Sequence, residues 1–258
     1  MPDNQPVPVR HEPHRRRFLG VSFDCLSQDE VIGLMRRRGP GDAFGYVVTP
    51  NVDHIVRLAA QPSALAYYHQ AWLCLCDSKP VQALSMTVGR PLTHVTGSDL
   101  TKAIFEEVLM PGDVVTLVVA KDEIAAKLAA HYPQITFQSH VPPLGLLGKP
   151  DALQAVVDFL VSHPARFSFV AIGSPQSEVI AAKVRENESA RGTALCVGAS
   201  LEFITGDRPR APAWMNRTGT EWLHRIATEP RRLWKRYVFS MLPLLRLYWR
   251  EVARRAEN

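Results

Sequence analysis

The chain has 258 residues, of which 46% are hydrophobic and 21% are charged. These values are ordinary for a globular protein and exclude collagen-like, coiled-coil and wholly disordered chains. The length allows one large or two small domains, and we expect one domain with extensions.

The net charge of +5 is unevenly distributed. Residues 1–38 carry +2, residues 39–206 carry −4 and residues 207–258 carry +7. The basic tail is therefore expected to meet an anionic partner. No apolar stretch follows the basic residues of the N-terminal segment, so that segment lacks the pattern of a secretory signal. We expect residues 1–17 to be a disordered leader.

The four cysteines, at positions 25, 74, 76 and 196, give neither a dense disulfide framework nor paired CxxC motifs. This usage favours a reducing cytoplasm. Cys74 and Cys76 lie two positions apart in an apolar run, so their side chains would share one face of a strand. We predict that they are buried small hydrophobes; a metal pair is the less favoured alternative.

From Phe44 onward, short β-branched runs alternate with helical stretches of 10–15 residues. This pattern predicts an α/β fold with a mostly parallel sheet flanked by helices. The candidate strands are 45–49, 73–76, 94–96, 114–120, 135–140, 167–172 and 194–197. The clearest helix follows Ser98, its predicted cap. Its apolar face would comprise Leu100, Ile104, Phe105, Val108 and Leu109.

The last segment predicts a basic amphipathic helix, and a proline-rich break places a boundary at residue 207. Its apolar residues recur at helical spacing: Trp234, Val238, Met241, Leu242, Leu245, Tyr248, Trp249 and Val252. The longest charge-free run, 237–245, is much shorter than the roughly 20 residues that span a bilayer. Flanking arginines and interleaved aromatics favour a helix on the membrane surface. Packing against a protein core is the alternative.

Ligands of an open α/β sheet bind at the carboxyl ends of its strands, where helix N-termini present free N–H groups to phosphates. HVTGSDL, with Gly97 and Asp99, runs strand, glycine, helix; FVAIGSPQSE repeats the arrangement with Gly173 and Pro175, and CVGAS offers Gly198. Each alone is also typical of an ordinary strand-to-helix turn. Three in one chain favour a nucleotide site.

Several catalytic signatures are missing from the sequence. GxGxxG, GxxxxGK[ST], GxSxG and HExxH do not occur, which disfavours dehydrogenase, kinase and hydrolase functions. No DxD pair occurs either, so charge on a leaving diphosphate would be met by Arg, Lys and helix N-termini.

Two segments place polar side chains at strand ends. Asp77 follows the apolar run LCLC, where a general base could lie, although it could also cap the next helix. TPNVDH likewise places Thr49, Asn51 and Asp53 after a strand, as site residues or as turn and cap residues.

Taken in order, TPNVDH, LCDS, HVTGSDL, AIGSPQSE, CVGASLEFITG and the block from RAPAW to EPRRLWKRY resemble the WecG/TagA/CpsF glycosyltransferase family, glycosyltransferase family 26. The likeness covers roughly residues 18–238. It implies a Rossmann-like catalytic domain over 18–206 and a membrane-binding appendage over 207–258. It also implies a metal-independent, inverting enzyme without a cofactor, which moves a sugar from a UDP-sugar to a polyprenyl-diphosphate-linked saccharide.

The resemblance also implies residue roles. Asp77 matches the catalytic base. The donor-pocket matches are Thr49, Asn51, Gly97, Asp99, Gly173, Pro175, Gln176, Glu178 and Gly198. The cations expected at the diphosphates are Arg210, Arg225, Arg231, Arg232, Lys235 and Arg236. The expected location is the inner face of the cell membrane, in exopolysaccharide or cell-surface polysaccharide synthesis, with an anionic membrane surface as partner.

Three positions depart from the family pattern. Ser78 stands where the family has glycine, Ser177 where it has an active-site glutamine, and Glu202 where it has aspartate. These departures make a shifted donor specificity or a catalytically silent scaffold alternatives to an active enzyme. A nucleic-acid-binding protein that uses the basic tail is a further alternative, although we expect no nucleic-acid partner. The sequence leaves the sugar, the linkage and the oligomeric state open, a homo-oligomer included.

Overall fold

The structure is a computed structural model that describes residues 15–207 and 230–256, with the side chains of the second range given from 240 to 255. An antiparallel hairpin of β1 (Arg15–Phe18) and β2 (Val21–Asp24) opens the described chain. The Arg15 guanidinium pairs with the buried Asp24 carboxylate at 2.9 Å, and Asp24 accepts the Cys74 N–H at 2.8 Å. Residues 15–17 of the expected leader therefore belong to the fold, and residues 1–14 lie outside the described range.

Six parallel strands form the central sheet, in the order β4-β3-β8-β7-β5-β6. They are β3 (Gly45–Val48), β4 (Leu73–Cys74), β5 (Val114–Val119), β6 (Thr136–His140), β7 (Ala165–Ala171) and β8 (Gly192–Cys196). The inner strands are apolar on both faces because helices cover both sides, as parallel sheets require. The predicted α/β, Rossmann-like class is confirmed.

Ten α-helices are described. They are α1 (Gln28–Arg37), α2 (Val52–Ala60), α3 (Leu65–His69), α4 (Lys79–Thr87), α5 (Gly97–Ala103), α6 (Asp122–His131), α7 (Pro150–Ser162), α8 (Gln176–Arg185), α9 (Ser200–Ile204) and α10 (Pro230–Ala256). Helices α2, α3, α7 and α8 pack on one face of the sheet, with Tyr46 and Val48. Helices α1, α5, α6 and α9 pack on the other, with Val47. Alternate residues of β3 thus serve two cores.

Two local predictions need correction. Residues 94–96 do not form a strand; they contribute an isolated parallel bridge between Cys76 and His94. The cap of α5 is Thr96, not Ser98, because Thr96 has an extended backbone and its hydroxyl accepts the Asp99 N–H at 3.0 Å. The helix then continues as a π-turn over Ile104–Val108. Its predicted apolar face does pack into the core.

Cys74 and Cys76 are buried and unbridged in the same core cluster. Burial raises the pKa of the Cys76 thiol to about 12, which keeps it protonated at neutral pH. The prediction of two small buried hydrophobes is confirmed.

Helix α10 packs against the body of the protein. Leu244 is fully buried, Met241, Leu247 and Tyr248 adjoin the same core cluster, and the Tyr248 hydroxyl lies 2.8 Å from that of Thr87. Within the described residues, no helix combines the length and apolarity needed to cross a bilayer. The apolar stripe predicted for this helix is divided: part of it packs on the core, while Leu242, Leu245 and Trp249 are exposed.

Candidate active site

The segments that follow β3, β4 and β8 meet at the carboxyl edge of the sheet. The Asp77 carboxylate accepts the Gly97 N–H at 3.1 Å, at the first residue of α5. The Asp77 backbone N–H donates to the Pro50 carbonyl at 3.1 Å, which ties the two segments together. Asp77 does not cap α4, because Ser78 does so by accepting the Val81 N–H at 3.3 Å. The half-buried Asp77 carboxylate therefore faces the sheet edge, with α5 supplying N–H groups beside it.

Gly97 is the point of closest approach in this cluster. A Cβ atom at Gly97 would lie 2.9 Å from Thr49 Oγ1, 3.5 Å from Ser200 Oγ and 3.7 Å from Asp77 Oδ2. Thr49 and Ser200 are both buried. Four polar or glycine positions from four segments of the chain thus share one small volume.

Asp99 and His94 flank this cluster. The Thr96 hydroxyl donates to Asp99 Oδ2 at 2.8 Å, so the Asp99 carboxylate is held at the start of α5. Burial, together with the positive charge of Lys79, lowers the pKa of His94 to about 4, although Asp99 acts in the opposite direction. His94 is therefore a neutral imidazole at pH 7.

Comparison with known families decides the class of this protein. Residues 16–258 match the family model described as the glycosyl transferase WecG/TagA/CpsF family. The chain belongs to this family. It is therefore a glycosyltransferase by family, with a sugar donor and an acceptor as its substrates.

The N-terminus of α8 lies at the same edge of the glycosyltransferase sheet, after β7. Gly173 has a φ of +84°, and Pro175 precedes the helix, which begins at Gln176. Ser177 is buried, and its hydroxyl donates to the Val170 and Gly173 carbonyls, both at 3.0 Å. Ser177 therefore serves the local backbone, while Gln176 is half-exposed at the helix start.

Glu178 lies deeper than the sequence suggests. Its side chain is 3% exposed, accepts the Tyr68 hydroxyl at 3.2 Å and lies 3.4 Å from His54 Nε2. Burial raises the pKa of the Glu178 carboxyl, but the hydrogen bond and charge of His54, helped by Ser174, outweigh burial and leave the pKa below its usual value. In this structure Glu178 reaches a histidine of α2 rather than an open pocket.

Asn51 is the N-terminal cap of α2. Its Oδ1 accepts the Asp53 N–H at 3.1 Å and the His54 N–H at 3.5 Å. The sequence left open whether Asn51 is a cap or a site residue, and the structure shows that it caps α2. A few residues on, the Arg57 guanidinium donates to the Ser174 hydroxyl and carbonyl, linking α2 to the segment before α8.

The remaining predicted positions fall into two groups. Gly198 follows β8 with a φ of +54°, and Glu202 is half-buried in α9. Arg210 and Arg225 lie outside the described residues, and only the backbone of α10 is described for the other expected cations, Arg231, Arg232, Lys235 and Arg236. Across the described part of the chain, no group of three His, Cys, Asp or Glu side chains is arranged as a metal site.

Several residues of the site escaped the sequence analysis. His54 closes the quoted TPNVDH segment, and Ser200 closes CVGAS, so both lay within recognised motifs. Arg57 and Tyr68 lie on the α2 and α3 helices, where a lone Arg or Tyr carries no signal of its own. Only the packing of α2 and α3 against α8 brings them to Glu178 and Ser174.

Proposed function

We propose that this glycosyltransferase is an inverting enzyme that moves a sugar from a UDP-sugar to a polyprenyl-diphosphate-linked saccharide. The observation that carries the proposal is the Asp77 carboxylate, held at the N-terminus of α5 by the Gly97 N–H, with Thr49 against the same glycine. A fixed carboxylate at the carboxyl edge of an α/β sheet is suited to act as a general base on a ligand bound there.

In the proposed reaction, Asp77 accepts the proton of an acceptor hydroxyl as its oxygen attacks the anomeric carbon of the donor. The bond from that carbon to the diphosphate oxygen breaks, and UDP departs with the bonding electrons. Attack opposite the leaving group inverts the anomeric configuration. Asp77 ends the step protonated and returns its proton to solvent.

The donor would lie along the edge formed by the starts of α5 and α8. N–H groups at helix N-termini favour the negative charge of a diphosphate. We assign donor contacts to Thr49, Asn51, Gly97, Asp99, Gly173, Pro175, Gln176 and Gly198. The family motif also suggests Glu178 as a donor-pocket residue, but Glu178 is buried, so we assign it an indirect role. Because the sequence has no DxD pair, we propose that cations of the chain neutralise the diphosphate charge, among them Arg210, Arg225, Arg231, Arg232, Lys235 and Arg236.

The acceptor would reach the enzyme at the membrane surface. On α10, Leu242, Leu245 and Trp249 are exposed on a helix whose opposite side packs on the core, and Arg246 and Arg250 lie beside them. Apolar and aromatic side chains next to arginines are typical of helices that bind anionic lipid surfaces. We propose that the protein acts at the inner face of the cell membrane, on a precursor of an exported or cell-surface polysaccharide.

The experiment that tests this function measures UDP release from a panel of UDP-hexoses, UDP-N-acetylhexosamines and UDP-uronic acids. Each donor is supplied with and without a short-chain polyprenyl-diphosphate saccharide, and with and without EDTA. Acceptor-dependent release from one donor, unaffected by EDTA, would support the proposal. If no donor in the panel gives UDP release although the protein binds UDP, the result would favour a catalytically silent scaffold.

A further inference from the structure

A buried hydrogen-bonded chain runs from α8 to the cap of α2. Glu178 Oε1 lies 3.4 Å from His54 Nε2, and His54 Nδ1 lies 2.7 Å from Asn51 Oδ1. Glu178 is 3% exposed, and its second oxygen, Oε2, has no hydrogen-bond partner among the described residues. Burying a carboxylate costs folding free energy unless the carboxylate is paired, so the contact with His54 compensates part of the cost of burying Glu178.

The two backbone donors of α2 fix the orientation of the Asn51 amide. The N–H groups of Asp53 and His54 both point at the same atom of Asn51, so that atom is the oxygen, Oδ1. The amide nitrogen, Nδ2, is then on the other side. It makes no hydrogen bond within the described part of the chain, and two N–H donors remain for a ligand.

The His54 ring is held between Asn51 and Glu178. Its Nδ1 accepts the Asn51 backbone N–H at 3.2 Å, which completes a reciprocal capping box at the start of α2, and it also lies 2.7 Å from Asn51 Oδ1. The other ring nitrogen, Nε2, faces the Glu178 carboxylate. A carboxylate in this position holds the imidazole in one orientation, as buried acids do for histidines elsewhere.

We propose that Glu178 and His54 are positioning residues: Glu178 holds the His54 ring against the cap of α2, and the ring in turn fixes Asn51, whose amide presents its NH₂ group to the donor beside Asp77. The inference rests on the proposed function for its substrate, a UDP-sugar. The route from Asn51 to Asp77 is short, because the Asp77 N–H donates to the carbonyl of Pro50, the residue before Asn51.

Other groups face Glu178 as well. Tyr68 of α3 donates to the same oxygen, and Ser174 contributes a hydrogen bond. Cys196 of β8 also lies near: burial raises the pKa of its thiol most, and the negative charge of Glu178 raises it further. None of these groups bridges Glu178 to Asn51. Tyr68 therefore provides a matched control, since its loss removes a partner of Glu178 without breaking the chain.

Two substitutions of His54 test its contact with Asn51. His54→Gln keeps an acceptor for the Asn51 N–H, because glutamine at this position of a helix forms the same capping box, whereas His54→Leu removes the contacts with both Asn51 and Glu178. We expect His54→Gln to retain kcat/KM for the donor within about threefold and His54→Leu to lose about tenfold or more. Equal losses in the two variants, or no loss in either, would overturn the proposal.

The contribution of Glu178 is tested in the same assay. Glu178→Met has a similar volume but no carboxylate, and we expect it to lose activity about as His54→Leu does, whereas Tyr68→Phe stays within about threefold of the wild type. Full turnover by Glu178→Met, or an equal loss in Tyr68→Phe, would contradict the assignment of Glu178. Thermal unfolding of each variant shows whether the fold persists.

A readout without substrate keeps this inference separate from the proposed function. In protein labelled with ¹⁵N-histidine, NMR of the full chain reports on the two ring nitrogens of His54. Ring ¹⁵N shifts that change in Glu178→Met support the proposal, and shifts that stay those of the wild type overturn it. A wild-type protein that turns over no UDP-sugar would refute the proposed function and leave this readout unchanged.

Discussion

Gly97 lies so close to Thr49 that a Cβ atom on the glycine would stand 2.9 Å from Thr49 Oγ1. Contacts this short do not occur between real Cβ atoms and their neighbours, and the buried Thr49 side chain is stiff at its first torsion angle. The glycine therefore lets the start of α5 pack directly against the end of β3. This contact places the Gly97 N–H within reach of Asp77.

Gly97→Ala should displace Thr49 or the first turn of α5, and with it the hydrogen bond to Asp77. We expect kcat/KM for the donor to fall about tenfold to a hundredfold, because small misplacements of a catalytic group have large kinetic effects. Gly33→Ala is the matched control, since its Cβ would meet no atom closer than 3.9 Å. Full activity of Gly97→Ala in steady-state kinetics would show that the close approach is not required.

His94 makes stability depend on pH. Its pKa is about 4 in the folded protein and near 6.5 when unfolded, so between these pH values the unfolded chain binds a proton that the folded chain does not. The free energy of unfolding should therefore fall as pH drops from 6.5 to 4, by roughly 3 kcal/mol at most. Above pH 6.5 His94 is neutral in both states and contributes no slope.

Urea unfolding of the wild type and of His94→Gln between pH 7 and pH 4 measures this effect. We expect the free energy of unfolding to fall less steeply with decreasing pH in His94→Gln than in the wild type. The control His131→Gln removes an exposed histidine and should show the pH dependence of the wild type. Parallel curves for the wild type and His94→Gln would mean that His94 does not resist protonation in the folded state.

The exposed residues of α10 predict membrane binding. Replacing Leu245 and Trp249 together by glutamate should reduce co-sedimentation with anionic liposomes about tenfold or more, because two apolar contacts are lost and two like charges are added. Leu144→Glu is the control, since Leu144 is 92% exposed on the loop after β6. Unchanged sedimentation of the double variant would place the lipid contact elsewhere or remove it.

The strand positions follow largely from the pattern of apolar residues in the sequence, whereas details such as helix caps do not. Apolar runs such as Val114–Val119 are strands because both faces of a parallel sheet are buried, and their positions are predictable within a residue or two. The prediction of Ser98 as the cap of α5 is wrong because serine is, in general, a somewhat better cap than threonine, and local preference alone does not select Thr96. Their difference lies in tertiary packing, since Gly97 must already be helical to meet Thr49.

The site was predictable where a motif carried it. Asp77, Gly97 and Thr49 lie in recognised segments and meet in the structure. Glu178 also lies in a motif, but its burial depends on how α8 packs against α2 and α3, which no local pattern encodes. The same packing explains why the His54 link appears only in three dimensions.

The most direct test of the account compares acceptor-dependent UDP release by the wild type and by Asp77→Asn. The asparagine keeps the volume and an acceptor for the Gly97 N–H but cannot take a proton, so we expect turnover to fall by about a hundredfold or more while UDP still binds. Glu188→Gln, an exposed carboxylate before β8, should behave as the wild type. Wild-type turnover by Asp77→Asn would contradict the assignment of Asp77 as the general base.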